Sequence, residues 1–560
     1  MSKFKDKKGS EFTTVSSIKN RSITRLRNDF LTLKNNCIEE AYDDDVYVDE
    51  NNNCEEYYPW MFSKTLEHDP VTGFCKKEDV DKIIKAAKEG GNDNLNAIDQ
   101  FSESKRKLEG VAASNSFNHI GTDSSVPSVT YQPIYTVGSV FEQMEVYALA
   151  LNRDVSFWDI ENNNGANGAT LTSLNSFNDK TTAPVDNSGD ITDKILFRGS
   201  AQDELVGPYV SQFLYLPFNY GNIAIEQKYE NENDVKESVI LSGATGAWIN
   251  IQNGKVTSDE STKTGNFLYC HSPRVLGAKV HNDALYQFYY NAALIAFQNG
   301  IGPSAFQNDK STAWVSSGGP DVLASVAHVA LGALRVAWYQ KFCISMRIRP
   351  EVYAQRINLI KTNTETFIKS VPRLKQVQNN LTTEADTLLE EVKTFNANLS
   401  GQTGTYLLPL QFPEGSPVHP SLPAGHAVVA GACVTVLKAM LSTHDKQDNN
   451  YIKKAWPLDV KHSLDGTALD DYTGDIDEIT IVGELNKLAS NVSIGRNMAG
   501  VHYRADGDCG MKLGEIYALT YLVDKASEYS ESYNGVFDCF VLEKFDGTTV
   551  KISKDGVVNV

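Results

Sequence analysis

The chain is predicted to fold as a mainly α protein, with packed helical bundles, long loops and a small C-terminal β-hairpin. Two observations predict this class. Apolar residues recur at helical spacing in many segments, whereas strand-like alternation is rare. The 560 residues are 41% hydrophobic, which is enough to form a large buried core.

Helical periodicity and end signals define the predicted helices in chain order. They cover residues 80–88, 140–151, 282–298, 320–348, 365–396 with an interruption at Pro372, 425–441, 480–496 and 511–524. Residues 155–265 are rich in Asn, Gly, Thr and Ser, so we expect long binding loops or subunit contacts there. Residues 537–544 and 548–553 flank Asp546-Gly547, which predicts the terminal hairpin.

The domain organisation is predicted from the change in composition near residue 55. Residues 1–55 are polar and carry acidic runs, so they are expected to form an arm or a partly ordered tail. Residues 56–560 are expected to form a single large α-helical domain, whose core begins near Tyr57 and whose catalytic segments lie within 320–526.

The charge balance argues against nucleic acid and anionic lipid as partners, because 71 acidic and 52 basic residues give a net charge of -19. No apolar run of the roughly 20 residues that span a bilayer is expected, nor an apolar leader at the N-terminus. The eight cysteines are dispersed and without CxxC spacing, so they are interpreted as mostly buried thiols. A soluble protein with no membrane partner follows, with the cytoplasm favoured and export by another route left open.

Three separated segments place basic or imidazole groups where an oxyanion could be held. They are KFCISMRIRP at 341–350, HPSLPAGH at 419–426 and RNMAGVH at 496–502. An oxyanion with several equatorial oxygens needs donors from different directions, which Lys, Arg and helix-start amides provide. Such a basic cluster is informative in an acidic chain.

The first segment contains Lys341 and Arg349. On a helix that persisted to Pro350 they would lie about 80° apart, two turns along one side, and both could reach one ligand. The alternative is that they only complement the dipole at a helix C-terminus.

The second segment contains Gly425, where a helix is expected to begin with unpaired amides that point at an anion. His426 on the first turn could donate a hydrogen bond or act as acid or base, and His419 could return to the same pocket. The alternative is a histidine that caps or packs at the helix start.

The third segment contains Arg496 near an expected helix end, and Gly500 offers a left-handed position at which a turn would let His502 converge with Arg496. Asp506 follows His502 by four residues. This spacing favours a carboxylate that takes one ring N–H and leaves the other nitrogen free as a nucleophile or metal ligand.

The three segments resemble the active-site signature of vanadium-dependent haloperoxidases, which share it with the type 2 phosphatidic acid phosphatase superfamily. The family pattern is a Lys followed by Arg-Pro, then Pro-Ser-Gly-His, then an Arg with a His six residues later. The flanking sequences GELNKLASNVSIGRNMAGVHY and GPYVSQFLYLPF also resemble bromoperoxidase members, so the similarity extends from about residue 207 to the C-terminus.

This resemblance implies a vanadate cofactor and a role for each matching residue. Vanadate oxygens would be held by Lys341, Arg349, Arg496 and the Gly425 amide, vanadium would be bound by His502, and peroxide binding would be assisted by His426 as acid or base. Trp338 and His419 would line the halide side, where a His resembles bromoperoxidases, and Asp506 would support His502.

One position departs from the family pattern: Ala424 stands where the family commonly has Ser. Alanine cannot donate a hydrogen bond to a vanadate oxygen. A lost hydrogen bond to a charged group is worth about 1.5–3 kcal/mol, so reduced vanadate affinity or turnover is expected unless water replaces the hydroxyl.

The leading hypothesis is therefore a haloperoxidase that uses hydrogen peroxide to oxidise bromide, and also iodide, to a hypohalous acid equivalent that halogenates small organic acceptors. A homo-oligomer is expected by the same resemblance. Two alternatives stay open: a phosphatase with His502 as nucleophile, and an oxyanion-binding protein in which Ala424 marks lost activity.

Overall fold

The computed structural model describes residues 46–50, 54–162, 168–232, 245–257, 263–281, 283–304, 310–400, 404–447 and 450–560. The described chain is mainly α, which confirms the predicted class. In chain order the α-helices are α1 (Lys77–Glu89), α2 (Asn92–Asn96), α3 (Val137–Leu151), α4 (Phe157–Glu161), α5 (Gly168–Asn175), α6 (Thr245–Gln252), α7 (Pro273–Lys279), α8 (Gln287–Gln298), α9 (Gly319–Tyr339), α10 (Pro350–Thr362), α11 (Glu365–Ser370), α12 (Leu374–Asn380), α13 (Thr383–Ser400), α14 (Gly425–Met440), α15 (Ile481–Met498) and α16 (Arg504–Glu528).

The strands form small antiparallel sheets at the periphery of the helical core. Two sheets have three strands: β1 (Tyr47–Asp49), β2 (Glu55–Tyr58) and β3 (Cys75–Lys76), and β12 (Phe540–Glu543), β13 (Thr549–Ser553) and β14 (Gly556–Asn559). The others are two-stranded: β4 (Phe218–Tyr220) with β5 (Ile223–Ile225), β6 (Tyr229–Glu232) with β7 (Lys263–Leu268), β8 (His444–Gln447) with β9 (Asn450–Lys453), and β10 (Val460–His462) with β11 (Leu469–Asp471).

The predicted C-terminal hairpin is present as β12 and β13, in a register that pairs Phe540 with Ile552. Its turn places Gly547 at a φ of +81°, a left-handed conformation that glycine adopts without steric cost. The prediction missed β14, which extends the hairpin to a three-stranded sheet.

The core is centred on α14, which packs against α9, α15 and α16. Every residue of α14 except His426 is buried. Its backbone approaches α16 closely, because a Cβ built on Gly514 would lie 2.1 Å from the carbonyl oxygen of Val428. These two helices therefore pack backbone against backbone, which fixes the positions of their first turns.

The long helix predicted over 320–348 is interrupted. α9 ends at Tyr339 and continues as a π-helical segment, Gln340–Ser345, after which Met346 takes a left-handed conformation with φ +41°. Arg349 is extended and precedes Pro350, the first residue of α10, a helix that the prediction missed. Proline disfavours helical conformation in the residue before it, so the predicted continuous helix from Lys341 to Arg349 is wrong.

Other helix boundaries differ less. α16 begins at Arg504, seven residues before the predicted start, and the predicted 365–396 helix is divided into α11, α12 and α13. The described cysteines are thiols rather than disulfides, whereas Cys37 lies outside the described residues. The predicted N-terminal arm falls largely on residues 1–45, also outside them, although β1 already pairs with β2.

The expectation that no apolar segment is long enough to cross a membrane is wrong. The helical stretch Gly319–Ser345 meets that criterion by length and composition. It packs against α14 and α16, and 56% of its most apolar window is buried. Core helices of globular proteins have the same composition, and this stretch is one of them.

Candidate active site

Three cationic side chains reach one buried pocket from three different elements. Lys341 lies on the π-helical segment, Arg349 directly precedes α10, and Arg496 lies in the last turn of α15; all three are buried. Lys341 donates to the carbonyl oxygens of Pro420 and Ser421 at 2.6 and 2.9 Å. Arg349 donates to the neighbouring carbonyl of His419, so the second segment, and not a shared helix face, brings Lys341 and Arg349 together.

The positive charge of this trio is not neutralised by direct ion pairs in the described part of the chain. Among the described residues, no Asp or Glu lies within ion-pairing distance of Lys341, Arg349 or Arg496. Burial, and then the charge of Arg349, hold the pKa of Lys341 well below its usual range. Burial lowers the pKa of Arg349 to about 9 and that of Arg496 to about 10. A bound anion would relieve this strain.

Asp506 fixes the tautomer of His502. The imidazole Nδ1–H donates to Asp506 Oδ2 at 2.8 Å, and Nε2 accepts from the Arg349 guanidinium at 2.8 Å, since arginine can only donate. Burial, and then the charge of Arg349, hold the pKa of His502 well below its usual range. The neutral ring therefore presents the Nε2 lone pair to the cationic side of the pocket.

The Asp506 carboxylate also binds groups from the other segments. It accepts from the hydroxyl of Ser421, from Arg347 Nη1 at 3.1 Å and from the amide of Tyr503 at 3.1 Å. The four-residue spacing predicted the contact between His502 and Asp506. The two residues are not an i,i+4 pair on one helix, however, because α16 begins only at Arg504 and Asp506 lies in its first turn. Arg347 and Ser421 were missed, since nothing in their local sequence marks them.

His426 forms a second imidazole–carboxylate pair. Its Nε2 lies 2.8 Å from Asp283 Oδ1, across 143 residues of sequence. Burial lowers the pKa of His426 and the Asp283 carboxylate opposes that effect. Asp283 was not predicted. Its only sequence signal is that it is the first acidic residue after α7, and it lies in no recognisable motif.

Three helices begin at the pocket. Arg349, Ala424 and Tyr503 are the N-cap residues of α10, α14 and α16. Alanine has no side-chain hydrogen-bond acceptor, so Ala424 does not cap the first amides of α14, including that of Gly425. Helix N-termini carry partial positive charge, and three of them add to the field of the cationic side chains.

Trp338 and His419 form one wall of the pocket. Their ring centroids are 4.8 Å apart, and His419 Nδ1 accepts from Arg349 Nη2 at 2.9 Å. Burial and the charge of Lys341 hold the pKa of His419 well below its usual range. Trp338 is half-buried and donates its indole N–H to the backbone carbonyl of Glu109 at 2.9 Å. Glu109 was not predicted.

All the residues predicted from sequence thus lie in this one cluster: Trp338, Lys341, Arg349, His419, Gly425, His426, Arg496, His502 and Asp506. The donor set fits vanadate. Arg496 Nε is buried without a hydrogen-bond partner among the described residues, and the His502 Nε2 lone pair faces the Arg349 guanidinium, a group that only donates. Several donors for its oxygens and one nitrogen for the metal are groups that suit such an oxometal anion.

No family model matches the chain. Vanadium-dependent bromoperoxidases from Corallina pilulifera and Corallina officinalis are each 31% identical over 500 residues, with 80% of both chains covered. The enzyme of that name from Ascophyllum nodosum is 30% identical over 448 residues, covering 77% of this chain and 75% of its own.

The fold is also that of a solved bromoperoxidase. The homohexameric structure of the second vanadate-dependent bromoperoxidase from Ascophyllum nodosum superposes with a TM-score of 0.79 at 24% identity, covering 98% of this chain and 97% of that one. Extended sequence similarity at 31% identity, together with the geometry above, leads to one conclusion: the chain belongs to the vanadium-dependent bromoperoxidase family.

Proposed function

We propose that this chain is a vanadate-dependent haloperoxidase, which uses hydrogen peroxide to oxidise halide to a hypohalous acid equivalent. Bromide is the preferred substrate, iodide is also oxidised, and small organic acceptors are halogenated. One observation carries the proposal: three buried cations that form no ion pair with a carboxylate among the described residues cluster beside His502, whose Nε2 lone pair faces the Arg349 guanidinium. The curated relatives are named for this chemistry.

The cofactor roles follow from the donor atoms of each residue. Lys341, Arg349, Arg496 and the Gly425 amide would hold the oxygens of vanadate, and His502 Nε2, which faces Arg349, would bind vanadium. Bound vanadate supplies a Lewis acid for peroxide activation. Asp506 keeps the His502 proton on Nδ1, so that Nε2 stays available as a ligand.

His426 is the acid/base residue. Because Asp283 accepts from Nε2, the ring proton is held there and Nδ1 keeps a lone pair that takes a proton from entering hydrogen peroxide. Trp338 and His419 line the halide side. Since His419 Nδ1 accepts from Arg349, its Nε2–H is the donor that faces outward.

The same pocket could hold a phosphate ester with His502 as nucleophile, so the decisive experiment compares the two reactions. We expect the protein to brominate a phenolic dye with peroxide, bromide and added vanadate, and to bind about one vanadium per chain. His502→Ala removes the ligand and abolishes bromination, whereas His119→Ala, at an exposed histidine, does not.

Hydrolysis of an aryl phosphate that vanadate inhibits, without bromination, would identify a phosphatase instead. Stoichiometric vanadate binding with neither activity would identify an oxyanion-binding protein. Circular dichroism of both histidine variants separates loss of chemistry from loss of fold.

Restoring the family serine at Ala424 is expected to strengthen vanadate binding. Ala424 is buried in an extended N-cap conformation that Ser adopts readily, and a new hydrogen bond to a charged oxygen is worth about 1.5–3 kcal/mol. Equilibrium dialysis with metal analysis should give a Kd lowered about tenfold or more in Ala424→Ser. Ala424→Gly, which adds no hydroxyl, should show no such gain. Equal Kd values for the unmodified protein and both variants would contradict the placement of residue 424 beside a vanadate oxygen.

Removing the carboxylate beside His426 is expected to weaken proton transfer. In Asp283→Asn the pKa of His426 falls further, because burial lowers it and Asp283 raises it. We expect kcat/KM for peroxide to fall about tenfold or more, and the limb of its pH profile that reports His426 to move to lower pH. An unmoved profile would show that Asp283 has only a packing role.

We further propose that the protein acts as a homo-oligomer in the cytoplasm and that residues 56–560 form a single domain. The solved structure with the same fold is a homohexamer. Large apolar side chains are exposed near β4, β5 and β7, including Tyr220, Ile223 and Phe267. Sedimentation velocity should give a multiple of the 61.8 kDa chain mass, and a monomer at micromolar concentration would refute the assembly.

A further inference from the structure

Glu109 lies at the outer side of the wall formed by Trp338 and His419, outside the cationic cradle formed by Lys341, Arg349 and Arg496. Its carboxylate oxygen Oε2 is 3.6 Å from His419 Nε2, and its side chain is 49% exposed. It therefore faces solvent on one side and the His419 ring on the other.

The backbone holds Glu109 in this position. Its amide donates to the carbonyl of Val418 at 3.0 Å, and its carbonyl accepts from the Trp338 indole at 2.9 Å. The next residue, Gly110, has φ +71°, and a Cβ there would lie 2.3 Å from Trp338 Nε1. The segment is thus bonded to Trp338 and to Val418, the residue before His419, so the backbone position of Glu109 is set beside this wall.

A polar chain connects this carboxylate to the cradle. Arg349 donates to His419 Nδ1, which leaves the ring proton on Nε2, the nitrogen that faces Glu109. Burial is the main cause of the lowered pKa values of Lys341 and Arg349, and Glu109 is among the acidic groups that oppose this lowering. The field of Glu109 therefore reaches the groups that bind anions.

We propose that Glu109 is a specificity-determining residue at the entrance, whose negative charge sets the affinity for incoming halide while leaving neutral hydrogen peroxide unaffected. This inference rests on the proposed haloperoxidase function. A carboxylate near the path of an anion repels it, and the attraction of the cradle is reduced by that amount.

The test measures steady-state bromination by vanadate-loaded protein with Glu109→Gln, Glu109→Asp and Glu103→Gln. Glu103 is a matched control, because it is an exposed carboxylate on the same segment that pairs with Lys255. We expect Glu109→Gln to lower the KM for bromide about threefold or more at low ionic strength, with the KM for peroxide unchanged. Glu109→Asp, which keeps the charge, and Glu103→Gln should resemble the unmodified protein.

The dependence on ionic strength distinguishes an electrostatic effect of Glu109 from a structural one. The difference between Glu109→Gln and the unmodified protein should shrink as ionic strength rises to about 0.5 M, because exposed charges are then screened. A second measurement needs no turnover: vanadate, also an anion, should associate faster with vanadate-free Glu109→Gln than with vanadate-free unmodified protein.

The outcomes distinguish the two proposals. Bromination with the same bromide KM in Glu109→Gln overturns the role of Glu109, as does a change that affects the peroxide KM equally or persists at high salt. Absence of bromination in the unmodified protein overturns the proposed function instead. In that case the vanadate association rate still decides whether Glu109 repels anions, and equal rates would overturn the inference.

Discussion

The buried carboxylate of Asp506 is the constraint on which the geometry of the pocket depends. It accepts hydrogen bonds from His502, Ser421, Arg347 and the Tyr503 amide, so it joins all three functional segments at one point. Arg347 in turn bonds Glu142 on α3. A buried acceptor with this many donors cannot be moved without leaving several polar groups unsatisfied, so segment positions and imidazole tautomer are set together.

Much of the site could be predicted because its chemistry is local in sequence. Each functional segment carries its donors within ten residues, and the helix starts at Gly425 and the turn at Gly500 have recognisable signals. The helical class follows from periodicity in the same way. Even so, the prediction that one helix face brings Lys341 and Arg349 together was wrong. The helix ends before Pro350, and both side chains instead donate to backbone carbonyls at 419–421.

The residues that sequence did not reveal act across long separations. Asp283 reaches His426 over 143 residues, and Glu109 reaches the wall of the pocket from a loop before the first long helix of the core. A single carboxylate in an acidic chain has no spacing that marks it, so only the packing of distant elements identifies it. β14 was missed for a related reason, because a short edge strand is defined by its partner more than by its own residues.

The convergence of three helix starts on one pocket affects how the site responds to substitution. Part of its attraction for anions comes from peptide dipoles in α10, α14 and α16, which no side-chain replacement removes and which do not titrate. Loss of any one cationic side chain therefore leaves an anion affinity to which the dipoles make a pH-independent contribution. Side chains around the site could therefore be replaced, and the reaction that it catalyses could change, while the backbone amides continued to hold an oxyanion.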